Sequence, residues 1–241
     1  GERVLDLCAA PGGKSLVLAA QLFADCAYPA VSAVSQRSAA AAQRSAPLPD
    51  APTAAAAGST LVRHALSPAT GSLLISNDRA HPRRARLRRV LCDYLGEAAL
   101  AAEGGASAGA VQVSGFDATH ARVPPTWPDV FDKILVDAPC SSERHVMHGA
   151  AGSSWSVSRL KRDAQLQQQI LRAAVRRLNP NGGLLVYSTC SIAPAENDLV
   201  VAKLMAHASY GAGLECRDPL EALRDGCIRQ LVAGAERTEL G

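Results

Sequence analysis

The sequence predicts an α/β protein built around a mainly parallel β-sheet. Short apolar segments typical of buried strands alternate with segments whose apolar residues have helical spacing. Strands that alternate with helices along a chain usually form a parallel sheet with right-handed crossovers. Polar and thiol side chains follow several of the strands, and ligands bind beyond the carboxyl ends of strands in such folds. We therefore expect a functional site along that edge.

The first two predicted strands are each followed by a predicted helix. Val4–Cys8 is a short apolar strand, and the apolar positions of Lys14–Leu22 have helical spacing. The second strand is Leu73–Ser76. The next helix begins near Pro82 and ends at Gly96, because proline is common in the first turn of a helix and glycine directly after the last.

Three more strands and two more helices are predicted in the rest of the chain. The strands are Val111–Ser114, Phe131–Asp137 and Leu184–Ser188. The helices are Val157–Leu178 and Pro194–His207. The polar and thiol groups at the five strand ends are Asp6 with Cys8, Asp78, Asp117, Asp137 with Cys140, and Cys190.

Residues 24–70 interrupt this pattern. Sixteen of these 47 residues are alanine, with proline and serine between them and almost no periodicity. Such a segment buries too little surface to offset the entropy lost on ordering, so we expect a largely disordered surface insertion. Residues 1–241 otherwise predict a single domain. Because Gly1 stands directly before a strand, we expect the chain to be a fragment of a longer one.

Composition and charge are those of a soluble globular protein. The chain is 48% hydrophobic and 20% charged, and no apolar run approaches the length of a membrane span. Its net charge is +3, and two basic clusters at residues 79–89 and 159–177 suit either a phosphate backbone or a solvated helix face. Seven cysteines without a C-x-x-C pair argue against a disulfide framework and a metal site. They favour a reducing intracellular compartment.

The first loop resembles a phosphate-binding loop only at its end. Gly13-Lys14-Ser15 matches the end of a P-loop, but Cys8 stands where the motif requires a glycine. The G-x-G-x-x-G pattern of NAD-binding loops is absent as well. Carboxylates at the strand ends suit the hydroxyl and amino groups of a nucleoside rather than a triphosphate. A cationic nucleoside such as S-adenosylmethionine fits this edge, with Lys14 available for its carboxylate.

Three motifs resemble those of one enzyme family. Asp6–Lys14 (DLCAAPGGK), Asp137–Ser142 (DAPCSS) and Tyr187–Asp198 (YSTCSIAPAEND) are similar, in order and spacing, to motifs of the NSUN (Sun/RsmB-like) RNA cytosine-C5 methyltransferases. Residues 140–145 and 236–241 most resemble the branch that contains mitochondrial ribosomal-RNA members. The resemblance implies a Rossmann-like class I methyltransferase fold and one catalytic domain over residues 1–241, truncated at both ends relative to the family.

The resemblance also assigns roles to the residues of the three motifs. The implied cofactor loop around the methionine moiety of S-adenosylmethionine consists of Cys8, Ala9, Ala10, Pro11, Gly12, Gly13 and Lys14. Asp78 is expected to hold the ribose and Asp117 the adenine, whereas Asp137 faces both cofactor and target base. Cys190 is implied as the nucleophile, and Cys140 as the residue that helps to release the product. For Asp78, capping of the following helix is the structural alternative.

The chemistry explains why a thiol is needed. Carbon 5 of cytosine attacks a methyl group only after a nucleophile has added to carbon 6, and that nucleophile must also be able to leave, which suits cysteine. Asp137 is expected to hydrogen-bond the pyrimidine edge near N3 and N4. The base must leave any stacked arrangement to reach such a site, so a single-stranded or flipped nucleotide is expected.

Two other functions remain open at this point. One is cytosine-C5 methylation of DNA with Cys140 as the nucleophile, which leaves Cys190 unexplained. The other is a catalytically idle RNA-binding or assembly module. The favoured partner is RNA, ribosomal RNA in particular, with a protein assembly factor as a further candidate and no membrane. The mitochondrion or another organelle is a candidate compartment.

Overall fold

The computed structural model describes residues 1–23, 71–100, 110–120, 122–143 and 155–217, so the predicted insertion at 24–70 lies outside the described residues. The strands are β1 (Arg3–Asp6), β2 (Leu73–Asn77), β3 (Val111–Ser114), β4 (Lys133–Asp137) and β5 (Leu184–Ser188). They form one parallel sheet in the order β3-β2-β1-β4-β5. The predicted mainly parallel, Rossmann-like sheet is confirmed.

The helices follow the strands as predicted. They are α1 (Gly13–Leu22), α2 (His81–Leu95), α3 (Val157–Val175) and α4 (Asp198–Met205), with short 3₁₀ helices at Glu97–Ala99 and Pro194–Glu196. None of these described helices is long and apolar enough to cross a membrane. Ser156 caps α3, because its side chain accepts a hydrogen bond from the backbone N–H of Arg159.

Several predicted boundaries differ from the observed ones: β1 ends at Asp6 rather than Cys8, and α3 ends at Val175 rather than Leu178. Tertiary contacts explain two further differences. Strand β4 begins at Lys133 rather than at the predicted Phe131. Phe131 instead forms an isolated β-bridge with Leu178, a residue that follows α3. The continuous helix predicted from Pro194 to His207 is interrupted at Asn197, whose φ of −117° and ψ of −101° are not helical. The side chain of Asn197 instead donates hydrogen bonds to the carbonyl oxygens of Ser191 and Ala193.

The sheet is covered on both faces. Successive residues of a strand point to opposite faces, so Val4 packs with α1 and α2, whereas Leu5 packs with α3 and α4. The two core clusters contain Leu87 on one face and Leu171 on the other, each with its side chain fully buried. Helices thus occupy the faces of the sheet, and the strand ends remain for a functional site.

Candidate active site

The candidate site lies at the carboxyl ends of β1 and β4, the two strands between which the chain order of the sheet reverses. Two predicted residues meet there. Lys14 Nζ lies 2.8 Å from Asp137 Oδ2. Asp137 Oδ1 accepts a hydrogen bond of 2.8 Å from Ser188 Oγ at the end of β5. The first and second motifs therefore contribute to one site, next to the start of the third.

The predicted cofactor loop, residues 8–14, is held from both sides. Gly12 has a φ of 117°, and a Cβ atom at this position would lie 3.1 Å from Leu87 Cδ1 and 3.2 Å from Val90 Cγ1. Both the backbone conformation and the close approach to α2 therefore require glycine. On the other side, the buried Asp6 accepts a hydrogen bond of 2.7 Å from Ser15 Oγ.

Burial also decides the ionisation of two groups at the base of this loop. Burial raises the pKa of Asp6 to about 6, although the hydrogen bond from Ser15 opposes the increase. Burial likewise raises the pKa of Cys8 to about 12, and the nearby carboxylates of Asp6 and Asp78 add to this. Cys8 is therefore a neutral thiol at physiological pH and does not compete as a nucleophile.

The predicted ribose-binding residue has partners within the protein. Asp78 is buried, and its Oδ2 lies 3.2 Å from Arg83 Nη2. Its Oδ1 accepts a hydrogen bond of 3.0 Å from the backbone N–H of Ala80, directly before α2. Asp78 therefore binds the N-cap residue of α2 but does not itself cap this helix, because the N-cap is Ala80 and makes no side-chain hydrogen bond.

Asp117 has a similar arrangement after β3. Its Oδ2 lies 3.1 Å from Arg79 Nη1, and its Oδ1 accepts hydrogen bonds from the backbone and hydroxyl of Thr119. Burial alone would raise the pKa of Asp117, but these hydrogen bonds and Arg79 outweigh it, so the pKa lies below its usual value. Asp117 is therefore an ionised acceptor. Part of the first basic cluster is engaged in these ion pairs.

This edge of the sheet suits S-adenosylmethionine by charge and hydrogen-bonding capacity. Asp78 and Asp117 supply acceptors for hydroxyl and amino donors. Lys14, whose side chain is 54% exposed, supplies a cation for a carboxylate. The described residues contain no group of three or more His, Cys, Asp or Glu side chains that could hold a metal ion.

The two predicted catalytic thiols lie together. Strands β4 and β5 pair so that Asp137 is opposite Ser188, and the loops after these residues run side by side. Cys140 Sγ lies 2.8 Å from Cys190 Sγ. Ser142 Oγ is 3.8 Å from the first sulfur and 3.6 Å from the second. Residues that are 50 positions apart in the sequence thus form one hydrogen-bonded group.

The environments of these two thiols differ. Cys140 is 7% exposed, whereas Cys190 is exposed to solvent. Burial, and then the hydrogen bond with Cys190, raise the pKa of Cys140 above its ordinary value. Cys140 is therefore a protonated thiol at neutral pH and can donate its hydrogen to the sulfur of Cys190. The accessible sulfur is the one that a large substrate can reach.

The sequence did not indicate the hydrogen-bond network around Glu196. This carboxylate is completely buried, and its Oε1 accepts hydrogen bonds of 2.9 Å from Ser141 N and 3.0 Å from Gln167 Nε2. Its Oε2 accepts a hydrogen bond from Ser141 Oγ. The backbone carbonyl of Glu196 accepts a further hydrogen bond, of 2.6 Å, from the Tyr187 hydroxyl. The segment after β5, which contains Cys190 and Glu196 and is called the Cys190 loop, therefore holds Ser141, the residue next to Cys140.

A second carboxylate makes the opposite connection. Glu143 Oε2 accepts hydrogen bonds of 2.6 Å from Ser191 Oγ, 2.8 Å from Ile192 N and 3.1 Å from Ala193 N. Its Oε1 accepts one of 3.2 Å from Trp155 Nε1. Burial opposes ionisation, but these donors outweigh it and lower the pKa of Glu143. The sequence signal for these glutamates was only their position, since Glu196 lies within the third motif and Glu143 directly follows the second.

The comparisons with known proteins agree with this geometry. A family model for the 16S rRNA methyltransferase RsmB/F matches residues 106–216. The mitochondrial tRNA (cytosine(34)-C(5))-methyltransferase of Mus musculus is 29% identical over 211 residues, which are 87% of this chain and 44% of that protein. The 5-cytosine rRNA methyltransferase NSUN4 of Bos taurus is 30% identical over 208 residues, 83% of this chain and 38% of that protein. Residues 106–216 thus match the RsmB/F methyltransferase family, and the two longer alignments extend the similarity over more than four fifths of the chain.

The fold of this chain is also similar to a solved structure, that of NSun6 from Pyrococcus horikoshii with SFG. The TM-score is 0.50 at 21% identity, over 85% of this chain and 36% of that one. The family match contains the second and third motifs, and thus Asp137 and both thiols, whereas the cofactor loop lies before it. The chain spans less than half the length of the two relatives, at 44% and 38%.

Proposed function

We propose that this protein transfers a methyl group from S-adenosylmethionine to carbon 5 of a cytosine in RNA. The observation that carries the proposal is the pair of unlike thiols, one exposed and one buried, beside Asp137 at the switch point of the sheet. The family match supports the reaction class, since both relatives are named as cytosine methyltransferases of RNA.

In the proposed first step, the Cys190 thiolate adds to carbon 6 of the cytosine. A sulfur–carbon bond forms, and the electrons of the carbon 5–carbon 6 double bond move so that carbon 5 becomes nucleophilic. Burial raises the pKa of the Cys140 thiol, whose sulfur lies within hydrogen-bond distance of the attacking sulfur. S-adenosylmethionine, when bound, supplies an electrophilic methyl group with a neutral leaving group.

Asp137 is proposed to orient the base. Its carboxylate is 34% exposed and is fixed by Lys14 on one oxygen and Ser188 on the other. A fixed carboxylate accepts a hydrogen bond from the exocyclic amine of cytosine and so orients the pyrimidine ring for addition. The link to Lys14 connects the orientation of the base with the cofactor loop.

Release reverses the addition. After methylation, carbon 5 loses its proton to solvent while the bond between carbon 6 and the Cys190 sulfur breaks and the ring regains its double bond. The departing sulfur lies within hydrogen-bond distance of Cys140. A thiol hydrogen donated by Cys140 stabilises the leaving thiolate, which is the reason for assigning it a role in release.

The substrate and the compartment form a finer part of the proposal. We propose ribosomal RNA as the substrate, because the family model is named for 16S rRNA and the bovine relative for rRNA. A mitochondrial location is proposed from the name of the mouse relative. A protein assembly factor is proposed as a partner on the resemblance alone.

The test compares thiol variants of the full-length protein, incubated with tritiated S-adenosylmethionine and cytosine-containing RNA. Cys190→Ala is expected to lower methyl transfer on the order of 10³-fold or more and to abolish the denaturation-resistant RNA–protein adduct. Cys140→Ala is expected to accumulate that adduct. Cys216→Ala, which removes another exposed thiol, is the control and should change neither signal.

Two outcomes would overturn the proposal. If the adduct survives in Cys190→Ala and is lost in Cys140→Ala, the roles are reversed and the DNA-type scheme applies. If the wild-type protein binds S-adenosylmethionine but methylates neither rRNA nor other RNA, the chain is a binding or assembly module.

A further inference from the structure

The two loops that carry the thiols are connected by carboxylates in both directions. Glu143, three residues after Cys140, accepts hydrogen bonds from the residues that directly follow Cys190. Glu196, six residues after Cys190, accepts hydrogen bonds from the residue that directly follows Cys140. Each loop therefore supplies the acceptor that fixes the other.

These two connections differ in burial. Glu196 is completely buried and also contacts Gln167 of α3, so it belongs to the packed base of the site. Glu143 is only partly buried, and three of its four donors belong to the Cys190 loop. Removal of the Glu143 carboxylate would therefore release that loop more than it would disturb the core.

We propose that Glu143 is a positioning residue for the reaction, because its carboxylate holds the loop after Cys190 and so sets the separation of the two sulfur atoms. This inference rests on the proposed function of the thiols. Hydrogen bonds to an ionised acceptor are stronger than those between neutral groups, so three of them on one oxygen restrain the loop effectively.

The geometry of the acceptor explains why glutamate is needed. One oxygen, Oε2, receives the Ser191 hydroxyl and two consecutive backbone N–H groups, while the other oxygen receives the Trp155 indole. Glutamine offers only one acceptor oxygen, and its amide nitrogen would face donors. Aspartate keeps the charge but is one methylene shorter. The arrangement of these donors therefore requires a side chain with both the negative charge and the length of glutamate.

The test measures how fast the two thiols form a disulfide in the absence of RNA and cofactor. The full-length protein is treated with diamide, and the rate at which a Cys140–Cys190 disulfide forms is followed by peptide mapping. Glu143→Ala is expected to slow this reaction by about tenfold, because the loop no longer holds the second thiol at high effective concentration. Glu143→Asp and Glu143→Gln should be intermediate.

The matched control is Glu215→Gln, which changes an exposed carboxylate whose ion pair is with the nearby Arg217. It should react like the wild type. In a methyl-transfer assay, Glu143→Ala should lower kcat on the order of 10- to 100-fold, with the KM for S-adenosylmethionine unchanged. A residue that serves only stability would lower the melting temperature without this split between kcat and KM.

A disulfide rate in folded Glu143→Ala within about twofold of the wild-type rate would overturn the proposal, since the effective concentration of the thiols would then be unaffected. If Glu143→Ala does not fold, Glu143→Gln decides by the same criterion. Failure of the proposed function is a separate result, because wild-type protein that forms the disulfide readily but transfers no methyl group leaves the positional role of Glu143 intact.

Discussion

The two halves of the sheet edge hold their functional side chains in different ways. In the half formed by β1, β2 and β3, Asp6 bonds to Ser15, nine residues later, and Asp78 pairs with Arg83, whereas Asp117 pairs with Arg79 from the loop after β2. In the half formed by β4 and β5, the carboxylates of Glu143 and Glu196 each bind residues of the other loop that are 48 to 55 positions away. The first half, which carries the predicted cofactor loop and is called the cofactor half, thus combines contacts between near and distant residues, whereas the thiol half depends on the pairing of two distant loops.

This difference agrees with the proposed function. A loop that binds a small molecule needs fixed backbone shape, which glycine, proline and nearby side chains provide. Two thiols that act on one base must approach each other from separate loops, so their geometry depends on what bridges those loops. At this edge of the sheet, the ion pair between Lys14 and Asp137 joins the two halves directly.

The largest change in stability is expected when the thiol half loses the buried carboxylate of Glu196, which connects its two loops. Glu196→Ala leaves the buried donors of Ser141 and Gln167 without an acceptor and should reduce the free energy of unfolding by about 3–5 kcal/mol. Urea denaturation measures this change. Glu215→Ala, at an exposed position, should change stability by less than about 0.5 kcal/mol. A loss below about 1 kcal/mol for Glu196→Ala would show that the loops associate without this carboxylate.

A slightly smaller change in the free energy of unfolding is expected when pH changes the ionisation of Asp6, in the cofactor half. The pKa of Asp6 is about 6 in the folded protein, against 3.8 for an aspartate in an unfolded chain, so the folded protein holds this proton more tightly. The stability that protonation provides is complete below pH 3.8 and is lost as the pH rises through about 6. This loss amounts to ~3 kcal/mol.

The measurement compares the wild type with Asp6→Asn, whose side chain does not ionise but can still accept the hydrogen bond from Ser15. Between pH 4 and pH 7, the free energy of unfolding should fall more steeply for the wild type than for the variant. Equal slopes would mean that Asp6 does not titrate between these values, and that burial does not control its ionisation.

The smallest of the three effects tests backbone shape in the cofactor loop. Gly12→Ala should destabilise the fold by about 1–3 kcal/mol, because its positive φ is strained for alanine and the new Cβ meets α2. Gly13→Ala is the control, since a Cβ at that position has no heavy atom within 4 Å. Thermal unfolding of both variants gives the comparison. Equal stability would mean that the loop adapts and that neighbouring residues do not fix its shape.

Much of the fold could be predicted because it depends on local patterns. The apolar strands and the helical spacing of α1 and α3 reflect burial on one or both sides, which each segment records in its own residues. The break at Asn197 could not be predicted in this way. Its helix-like surroundings favour continuation, but hydrogen bonds from its side chain to Ser191 and Ala193 stabilise the turn instead.

The candidate site likewise contains residues that the sequence indicates and residues that only the structure reveals. The predicted cofactor loop could be singled out because its motif lies in consecutive residues, whereas the approach of Leu87 to Gly12 is visible only in the structure. The bridging function of Glu143 was not recognisable, since a glutamate after a motif is equally compatible with a solvated surface. Only the positions of its four donors distinguish the two possibilities.

The sequence by itself determined three things: the succession of strands and helices along the chain, the edge of the sheet at which functional groups collect, and the family that the motifs resemble. Tertiary structure decided which groups meet. The parallel register that places Asp137 opposite Ser188 brings the two following loops together, and Cys140 then reaches Cys190 across 50 residues of chain. The physical reason is that burial patterns specify each element separately, whereas hydrogen bonds between distant loops exist only after the elements have packed.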